Sequence, residues 1–216
     1  DLHSFPTRRS SDLAFYICFK AYGGEVLAFL GENGAGKSTL LKVLNGDYQP
    51  TNGEYLLDGV QKHFSSPHEA IQEGISVIYQ ERQILLELSV AENIYLGRMP
   101  SKKFGIIDKS KANQMAQKII DDFGLPISPT TKVKDLSIAY QQMVEIMKAY
   151  SRENLKVICF DEPTASLSDA EIDSLFEVIA KLKAQGKIII YVSHRMKEIQ
   201  QIADKVAIFK DGHYVD

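Results

Sequence analysis

Residues 31–39 read GENGAGKST and fit the pattern G-x-x-x-x-G-K-[ST]. The apolar run Val26–Leu30 precedes them, as a buried strand would. Lys37–Asn45 follows with leucines at positions 40, 41 and 44 on one face, which predicts a helix. A glycine loop between a strand and a helix points successive backbone N–H groups at phosphate oxygens, and the helix N-terminus adds the positive end of its dipole. The stretch therefore predicts a site for nucleotide phosphates.

The expected chemistry of this loop is divided among its residues. Lys37 is predicted to reach the β- and γ-phosphates as a mobile positive charge, and the Ser38 hydroxyl to be a ligand for Mg²⁺. The alternative is a glycine-rich turn that binds no phosphate, and the strand and helix around the motif disfavour it. The residues predicted to bind the nucleotide are Gly31, Asn33, Gly34, Ala35, Gly36, Lys37, Ser38 and Thr39.

A second apolar run, Val157–Phe160, ends in the acidic pair Asp161 and Glu162. Ligands of a doubly wound sheet bind at the carboxyl ends of its strands, which is where this pair would lie. Asp161 is predicted to contact Mg²⁺ or a water bound to it, and Glu162 to orient or deprotonate the attacking water. Taken alone, such a pair is more often a solvated turn or a helix cap. Downstream of the glycine loop, the catalytic interpretation is favoured.

From Ala14 onward, short apolar runs alternate with longer amphipathic stretches, which is typical of an α/β domain. Between about residues 88 and 150 the pattern becomes helical, and we predict a helical subdomain there. Within it, Asp108 is expected to cap a helix that Gly124 ends. Further strands are predicted at Glu54–Leu57, Ile75–Tyr79, Lys187–Val192, Lys205–Phe209 and His213–Val215, and further helices at Asp169–Ala184 and Arg195–Ala203.

Composition restricts the possible partners. The 216 residues carry 28 acidic and 25 basic side chains, a formal net charge of −3, which offers no electrostatic footprint for nucleic acid or an anionic membrane surface. No apolar run approaches the roughly 18 residues that a membrane span needs. Cys18 and Cys159 are too few for a disulfide framework, so a reducing cytosolic setting is expected.

The first thirteen residues, DLHSFPTRRSSDL, resemble the translation of a common DNA sequencing adapter. We predict that residues 1–13 are a non-native leader and exclude them from the fold argument. The predicted domain then covers residues 14–216. It is expected to be truncated at both ends, since the leader replaces its start and no closing helix follows its last strand.

Five stretches stand in the order and spacing of ABC-type ATPase domains, and the chain resembles that family from Gly23 to Asp216. They are residues 31–39, Ser76–Gln80, Leu136–Ser137, Asp161–Thr164 and Val192–His194. Three segments are most similar to the first of the two ATPase domains in bacterial monosaccharide importer ATPases of the ribose, xylose and galactoside type. Their sequences are GENGAGKSTL, EPTASLSDAE and VSHRMKEIQQ. The resemblance implies a P-loop NTPase core with a mostly parallel sheet and an inserted helical subdomain.

The resemblance also implies residue roles. It gives Gln80 contact with Mg²⁺ and the γ-phosphate, His194 contact with the γ-phosphate, and Ser137 a hydrogen bond to the nucleotide of an opposite domain. Without it, Gln80 would be a polar loop residue and His194 a polar strand end. The catalytic residues are then Glu162, His194 and Gln80, and the metal ligands Ser38, Gln80 and Asp161. The chain departs from the family at residues 136–140, where LSIAY replaces the typical LSGGQ.

The function that the resemblance implies is ATP hydrolysis, with ATP and Mg²⁺, driving import of a monosaccharide through a membrane permease. Its implied partners are a second ABC ATPase domain in a head-to-tail pair, permease subunits and, indirectly, a periplasmic sugar-binding protein, with no nucleic acid. Its implied location is the cytoplasmic face of the inner membrane. Two alternatives are a soluble ABC protein that acts as an ATP-driven clamp in translation or DNA maintenance, and a nucleotide-dependent module without turnover. The short stretch from Gln80 to Ser137 and the retained Glu162 argue against them.

Overall fold

The computed structural model describes residues 5–7, 15–32, 34–50, 52–210 and 213–214. Asn33, most of the leader at 1–13 and Val215 of the last predicted strand lie outside the described residues. The strands are β1 (Phe5–Thr7), β2 (Phe15–Ile17), β3 (Val26–Gly31), β4 (Tyr55–Leu57), β5 (Val60–Lys62), β6 (Ile75–Ile78), β7 (Val157–Asp161), β8 (Ile188–Ser193), β9 (Lys205–Lys210) and β10 (His213–Tyr214). The α-helices are α1 (Lys37–Leu44), α2 (Pro67–Gln72), α3 (Val90–Ile94), α4 (Lys109–Phe123), α5 (Ile138–Tyr150), α6 (Asp169–Ala184) and α7 (Met196–Ile202).

The central sheet has the strand order β10-β9-β3-β8-β7-β6. Its pairs are parallel except for β10, which runs antiparallel to β9. The apolar run of β3 is buried throughout residues 26–29, as expected for a strand covered on both faces. This arrangement confirms the predicted α/β fold with a mostly parallel sheet.

The register of the sheet brings the predicted site residues to one edge. Leu30 of β3 pairs with Ser193 of β8, and Asp161 of β7 pairs with Val192. The carboxyl ends of these three strands are therefore neighbours, and each is followed by a polar loop. The predicted strand Glu54–Leu57 forms, but not in this sheet: β4 pairs with β5 in a separate antiparallel ribbon.

The chain divides into two compact units. We call Asp1–Gln80, Asn154–Pro163 and Ile179–Asp216 together the core unit, and Glu81–Glu153 with Thr164–Val178 the helical unit. The helical unit is wider than the stretch from 88 to 150 that the sequence pattern marked. The core unit contains the whole central sheet.

Within the helical unit, α4 has the predicted ends. The Asp108 carboxylate accepts a hydrogen bond from the Lys111 N–H at 3.0 Å, and Gly124 ends the helix with a left-handed φ of 70°. Helix α3 begins at a capping box, in which Ser89 and Glu92 each accept the other's backbone N–H. These caps satisfy N–H groups that the first turn of a helix leaves without partners.

Candidate functional site

The glycine loop connects β3 directly to α1, and its backbone needs glycine at three points. Gly34 and Gly36 have φ values of 86° and 98°, in the left-handed region that residues with a Cβ avoid. A Cβ on Gly31 would overlap the carbonyl oxygen of Phe209 on β9, so that position also requires glycine. Among the described residues, no side-chain hydrogen bond caps the start of α1 at Gly36, where the positive end of the helix dipole lies.

Lys37 is held inside this loop. Its side chain is buried, and its ammonium donates to the carbonyl oxygens of Gly31 at 2.8 Å and Glu32 at 2.9 Å. Burial lowers the pKa of Lys37, while the carboxylates of Glu162 and Asp161 oppose that shift. Because an ammonium has three N–H groups, these two bonds leave one donor for a phosphate oxygen.

Ser38 and Asp161 lie together at the start of α1. The Ser38 hydroxyl donates to Asp161 Oδ1 at 3.2 Å. Burial raises the pKa of Asp161; the Ser38 hydrogen bond opposes that shift and the nearby Glu162 adds to it. This partly buried hydroxyl–carboxylate pair offers oxygen atoms alone, which is the donor set that Mg²⁺ prefers.

Glu162 follows β7 in an unusual backbone conformation. Its φ is 48°, and its N–H donates to the carbonyl oxygen of Val192 at 3.0 Å. A left-handed conformation is uncommon for a residue with a long side chain. Nδ1 of His194 lies 3.1 Å from Glu162 Oε1, so the two predicted catalytic side chains are in direct contact.

A cavity of about 340 Å³ joins these groups. It lies within the size range of small-molecule sites. Its lining residues all belong to the core unit: Gly34, Gly36, Lys37, Ser38, Thr39, Gln80, Asp161 and Glu162. The structure therefore brings together eight of the residues proposed from sequence.

The other predicted site residues lie outside that lining. Gly31 contacts Lys37 through its carbonyl oxygen, and His194 contacts Glu162. Ala35 is buried, and its N–H donates to the Glu32 carbonyl oxygen at 3.2 Å, within the loop itself. Asn33 is outside the described residues.

Ser137 belongs to the helical unit, where it caps α5. Its hydroxyl oxygen accepts the Tyr140 N–H at 3.4 Å and also hydrogen-bonds the Glu171 carboxylate. Glu171 in turn accepts the hydroxyl of Ser168 at 2.8 Å. Ile138, which stands where the family has glycine, is 41% exposed.

Sequence reasoning missed a buried network behind His194. The carboxylate of Glu198 on α7 accepts hydrogen bonds from Tyr191 and Ser193 at 3.0 Å each, and from Arg195 at 3.2 Å. Ser193 also accepts the Arg195 N–H at 3.0 Å, so the residues on both sides of His194 are fixed. The available signal was an acidic residue within the short amphipathic helix α7, but its buried partners on β8 could not be seen from spacing.

Comparison with known proteins finds a family and its members. The family described as ABC transporter matches residues 16–165. The arabinose import ATP-binding protein AraG of Escherichia coli O6:K15:H31 is 51% identical over 199 residues, which is 92% of this chain. The protein of the same name from Mannheimia succiniciproducens is 50% identical over 200 residues. The chain spans 39% of the length of each of these relatives.

Solved structures show the same fold. A crystal structure of the ADP conformation of an ATP-binding cassette of an ABC transporter superposes with a TM-score of 0.85 at 24% identity, over 99% of this chain and 88% of that one. The dimeric structure of a bacterial ABC transporter cassette superposes with a TM-score of 0.80 at 21% identity, over 100% of this chain and 97% of that one. Among the described residues, no helix combines the length and apolar character needed to cross a membrane.

Proposed function

Because this chain belongs to the ABC transporter family, we propose that it binds and hydrolyses ATP to drive import of a monosaccharide. The observation that carries the proposal is the cavity at the carboxyl edge of the sheet, which Lys37, Ser38, Asp161 and Glu162 line together. The relatives at 50% and 51% identity are named for arabinose import, which supports a monosaccharide as the transported class. Those names favour import over a soluble clamp in translation or DNA maintenance.

In the proposed mechanism, the Lys37 side chain and the N-terminus of α1 both bind the phosphates. The Lys37 ammonium, which already bonds two loop carbonyls, donates its remaining N–H to a β- or γ-phosphate oxygen. The first residues of α1 line the same cavity, where the positive end of the helix dipole favours negative charge. Since Lys37 is buried, its attraction for phosphate is stronger than that of an exposed lysine.

The Ser38–Asp161 pair fits Mg²⁺. Mg²⁺ is held in such sites by one or two carboxylates together with substrate phosphates and water. Ser38, Asp161 and Gln80 all line the cavity and supply a hydroxyl, a carboxylate and an amide oxygen. When bound, the ion neutralises charge on the phosphates. The same residues then orient the phosphate chain toward Glu162.

Glu162 is proposed to orient the attacking water and accept its proton. Its carboxylate lines the cavity and its backbone is fixed to Val192. His194 contacts the same carboxylate at 3.1 Å and holds its orientation, as a third group does in other acid–base sites. The buried network around Glu198 keeps the backbone on each side of His194 in place.

A complete transporter is proposed to contain a second ABC ATPase domain, paired head to tail with this one. Ser137 of this chain then hydrogen-bonds the nucleotide of the second domain. Membrane permease subunits and, indirectly, a periplasmic sugar-binding protein are the further partners. This arrangement would place the chain at the cytoplasmic face of the inner membrane.

The test is co-purification followed by uptake. Affinity-tagged chain is purified from detergent-solubilised membranes of cells that also express the second ATPase domain and the permease subunits. The complex is reconstituted into vesicles together with the sugar-binding protein. The proposal expects permease subunits in the eluate and ATP-dependent uptake of a monosaccharide. Recovery of ribosomes or DNA instead, with no permease and no uptake, would contradict it.

A further inference from the structure

The hydroxyl of Tyr79 joins two residues at the far end of α1. It donates to Asp47 Oδ2 at 2.7 Å and accepts a hydrogen bond from the Asn45 amide at 3.0 Å. The same amide of Asn45 donates to Asp47 Oδ2 at 2.8 Å, so the three side chains form a closed network. Asn45 is buried, whereas Asp47 is exposed.

The turn that receives Tyr79 is held firmly. Gly46 has a φ of 77°, and a Cβ there would lie 2.7 Å from the Ser66 carbonyl oxygen. The Asp47 N–H donates to the Lys42 carbonyl oxygen of α1 at 2.9 Å. Asn45 is itself the C-cap of α1, the helix whose first residues line the phosphate cavity. Tyr79 is therefore bonded to the same rigid helix that carries Lys37 and Ser38.

Tyr79 lies between the end of β6 and the loop residue Gln80. It follows the last residue of β6 and precedes Gln80, which ends the first of the three segments that form the core unit. The register of β6 with β7 ends at Ile78, and the side-chain hydrogen bonds of Tyr79 hold the chain immediately after this last paired residue.

We propose that Tyr79 is a positioning residue, which holds Gln80 at the phosphate cavity by bonding the end of β6 to the end of α1. The inference rests on the proposed function of that cavity and adds a residue to which the family resemblance assigns no role. It predicts a coupling: the network at Asn45 and Asp47 acts on the nucleotide through Gln80, although none of its three side chains lines the cavity.

The test removes one atom. Tyr79→Phe keeps the ring and deletes the hydroxyl, and ATP affinity is measured by calorimetry with and without Mg²⁺. The Mg²⁺-free affinity should stay within about twofold, because the Lys37 grip is intact. The gain in affinity that Mg²⁺ brings should fall about threefold to tenfold, the equivalent of one lost hydrogen bond. In the nucleotide-free protein, the Gln80 amide should exchange its hydrogen faster than in wild type.

Two further variants separate positioning from general loss of structure. In a Gln80→Ala background, adding Tyr79→Phe should change the Mg²⁺-linked gain no further, because the two residues act as one unit. Tyr22→Phe is the matched control: it deletes the same atom from a tyrosine whose ring faces Lys205 at 4.6 Å. That control should leave both affinities unchanged.

The outcomes distinguish failure of the Tyr79 inference from failure of the proposed function of the cavity. An equal effect of Tyr79→Phe in the wild-type and Gln80→Ala backgrounds would overturn the inference, and so would no effect in either. If Gln80→Ala leaves the Mg²⁺-linked gain intact, Gln80 has no role for Tyr79 to support and the inference fails. Only a wild-type chain that binds no ATP would remove the proposed function as well.

Discussion

At the residue scale, the strained backbone of Glu162 determines where its carboxylate lies. Its φ of 48° is disfavoured for an L-residue by about 1 kcal/mol or more, and such strain gathers at functional sites. The hydrogen bond to Val192 and the contact with His194 hold the residue there. The strained turn directs the carboxylate into the phosphate cavity rather than along the sheet.

Replacing Glu162 by Gln should separate binding from hydrolysis. The amide keeps the size of the side chain and an oxygen for hydrogen bonding, but it cannot accept a proton. ATP binding should therefore persist while turnover falls at least ~10²-fold, the typical loss for a general base. Bound nucleotide and released phosphate are measured on the same sample of the assembled ATPase pair. Glu32→Gln, in the exposed part of the same loop, serves as the control. Wild-type turnover in Glu162→Gln would remove this residue from the mechanism.

At the element scale, α5 contains a buried carboxyl group that the apolar spacing of the helix does not predict. Spacing predicts a core stripe of Met143, Ile146, Met147 and Tyr150; the first three are buried and Tyr150 is half-buried. Glu145 is buried as well, and it accepts the Gln83 N–H. Burial raises the pKa of Glu145 to about 7, while the Gln83 N–H and Lys148 oppose that shift. From its ordinary value of 4.5 up to about 7, the folded protein holds a proton that the unfolded chain releases. Stability therefore falls as pH rises through this window.

Glu145→Gln should consequently stabilise the protein above pH 7, by about 1–3 kcal/mol, and give no gain below pH 4.5. Urea unfolding at pH 4 and pH 8 measures the difference. Glu92 provides the opposite case, because the Ser89 N–H and then Lys109 lower its pKa to about 2. Glu92→Gln should lose stability at pH 7. A Glu145→Gln variant with the same advantage at both pH values would show that the gain does not come from ionisation.

The junction of β3 and β9 gives a second element-scale prediction. Gly31→Ala places a Cβ against the Phe209 backbone, so the two strands must separate, at a cost of about 3 kcal/mol. Gly34→Ala meets no atom within 4 Å and costs only the strain of its positive φ, about 1 kcal/mol. Thermal unfolding of the two variants compares a steric clash with a conformational penalty in one loop. Equal losses would mean that β9 does not approach Gly31 as closely as described.

The same elements show how far sequence reasoning reaches. The bounds of β3, β7, β8 and α6 are predicted within one residue, because each is a continuous apolar run or a clear amphipathic period ending at a polar loop. The position of β4 outside the central sheet, the burial of Glu145 and the carboxylate network at Glu198 are not predictable in this way. They depend on contacts between residues that are far apart in the sequence, and hydrophobic periodicity and composition do not determine those contacts.

At the scale of the whole molecule, the altered stretch after Leu136 predicts unequal ATP sites. In the proposed head-to-tail pair, Lys37 and Glu162 would serve one site while Ser137 would cover the other. Ile138 is exposed beside Ser137, and its side chain would crowd a loop meant to lie against phosphate. The site built on Lys37 should therefore perform most of the hydrolysis.

Single-turnover hydrolysis in the assembled importer tests this asymmetry. Lys37→Ala should cost far more than substitution of the matching lysine in the second domain. Changing Ile138 and Ala139 to glycine should raise hydrolysis at the second site. Equal losses from the two lysine substitutions would contradict the asymmetry.

The central claim is that the core unit binds ATP through the loop that begins at Gly31. Calorimetric titration of the chain with ATP and Mg²⁺ tests it most directly, with Lys37→Ala beside Lys42→Ala. Lys42 lies on the same helix, but its ammonium faces the Tyr48 ring at 5.2 Å. The account predicts one ATP site per chain, kept in Lys42→Ala and weakened at least about tenfold in Lys37→Ala, since a hydrogen bond to a charged group is lost. Equal ATP affinity in wild type and Lys37→Ala would contradict it.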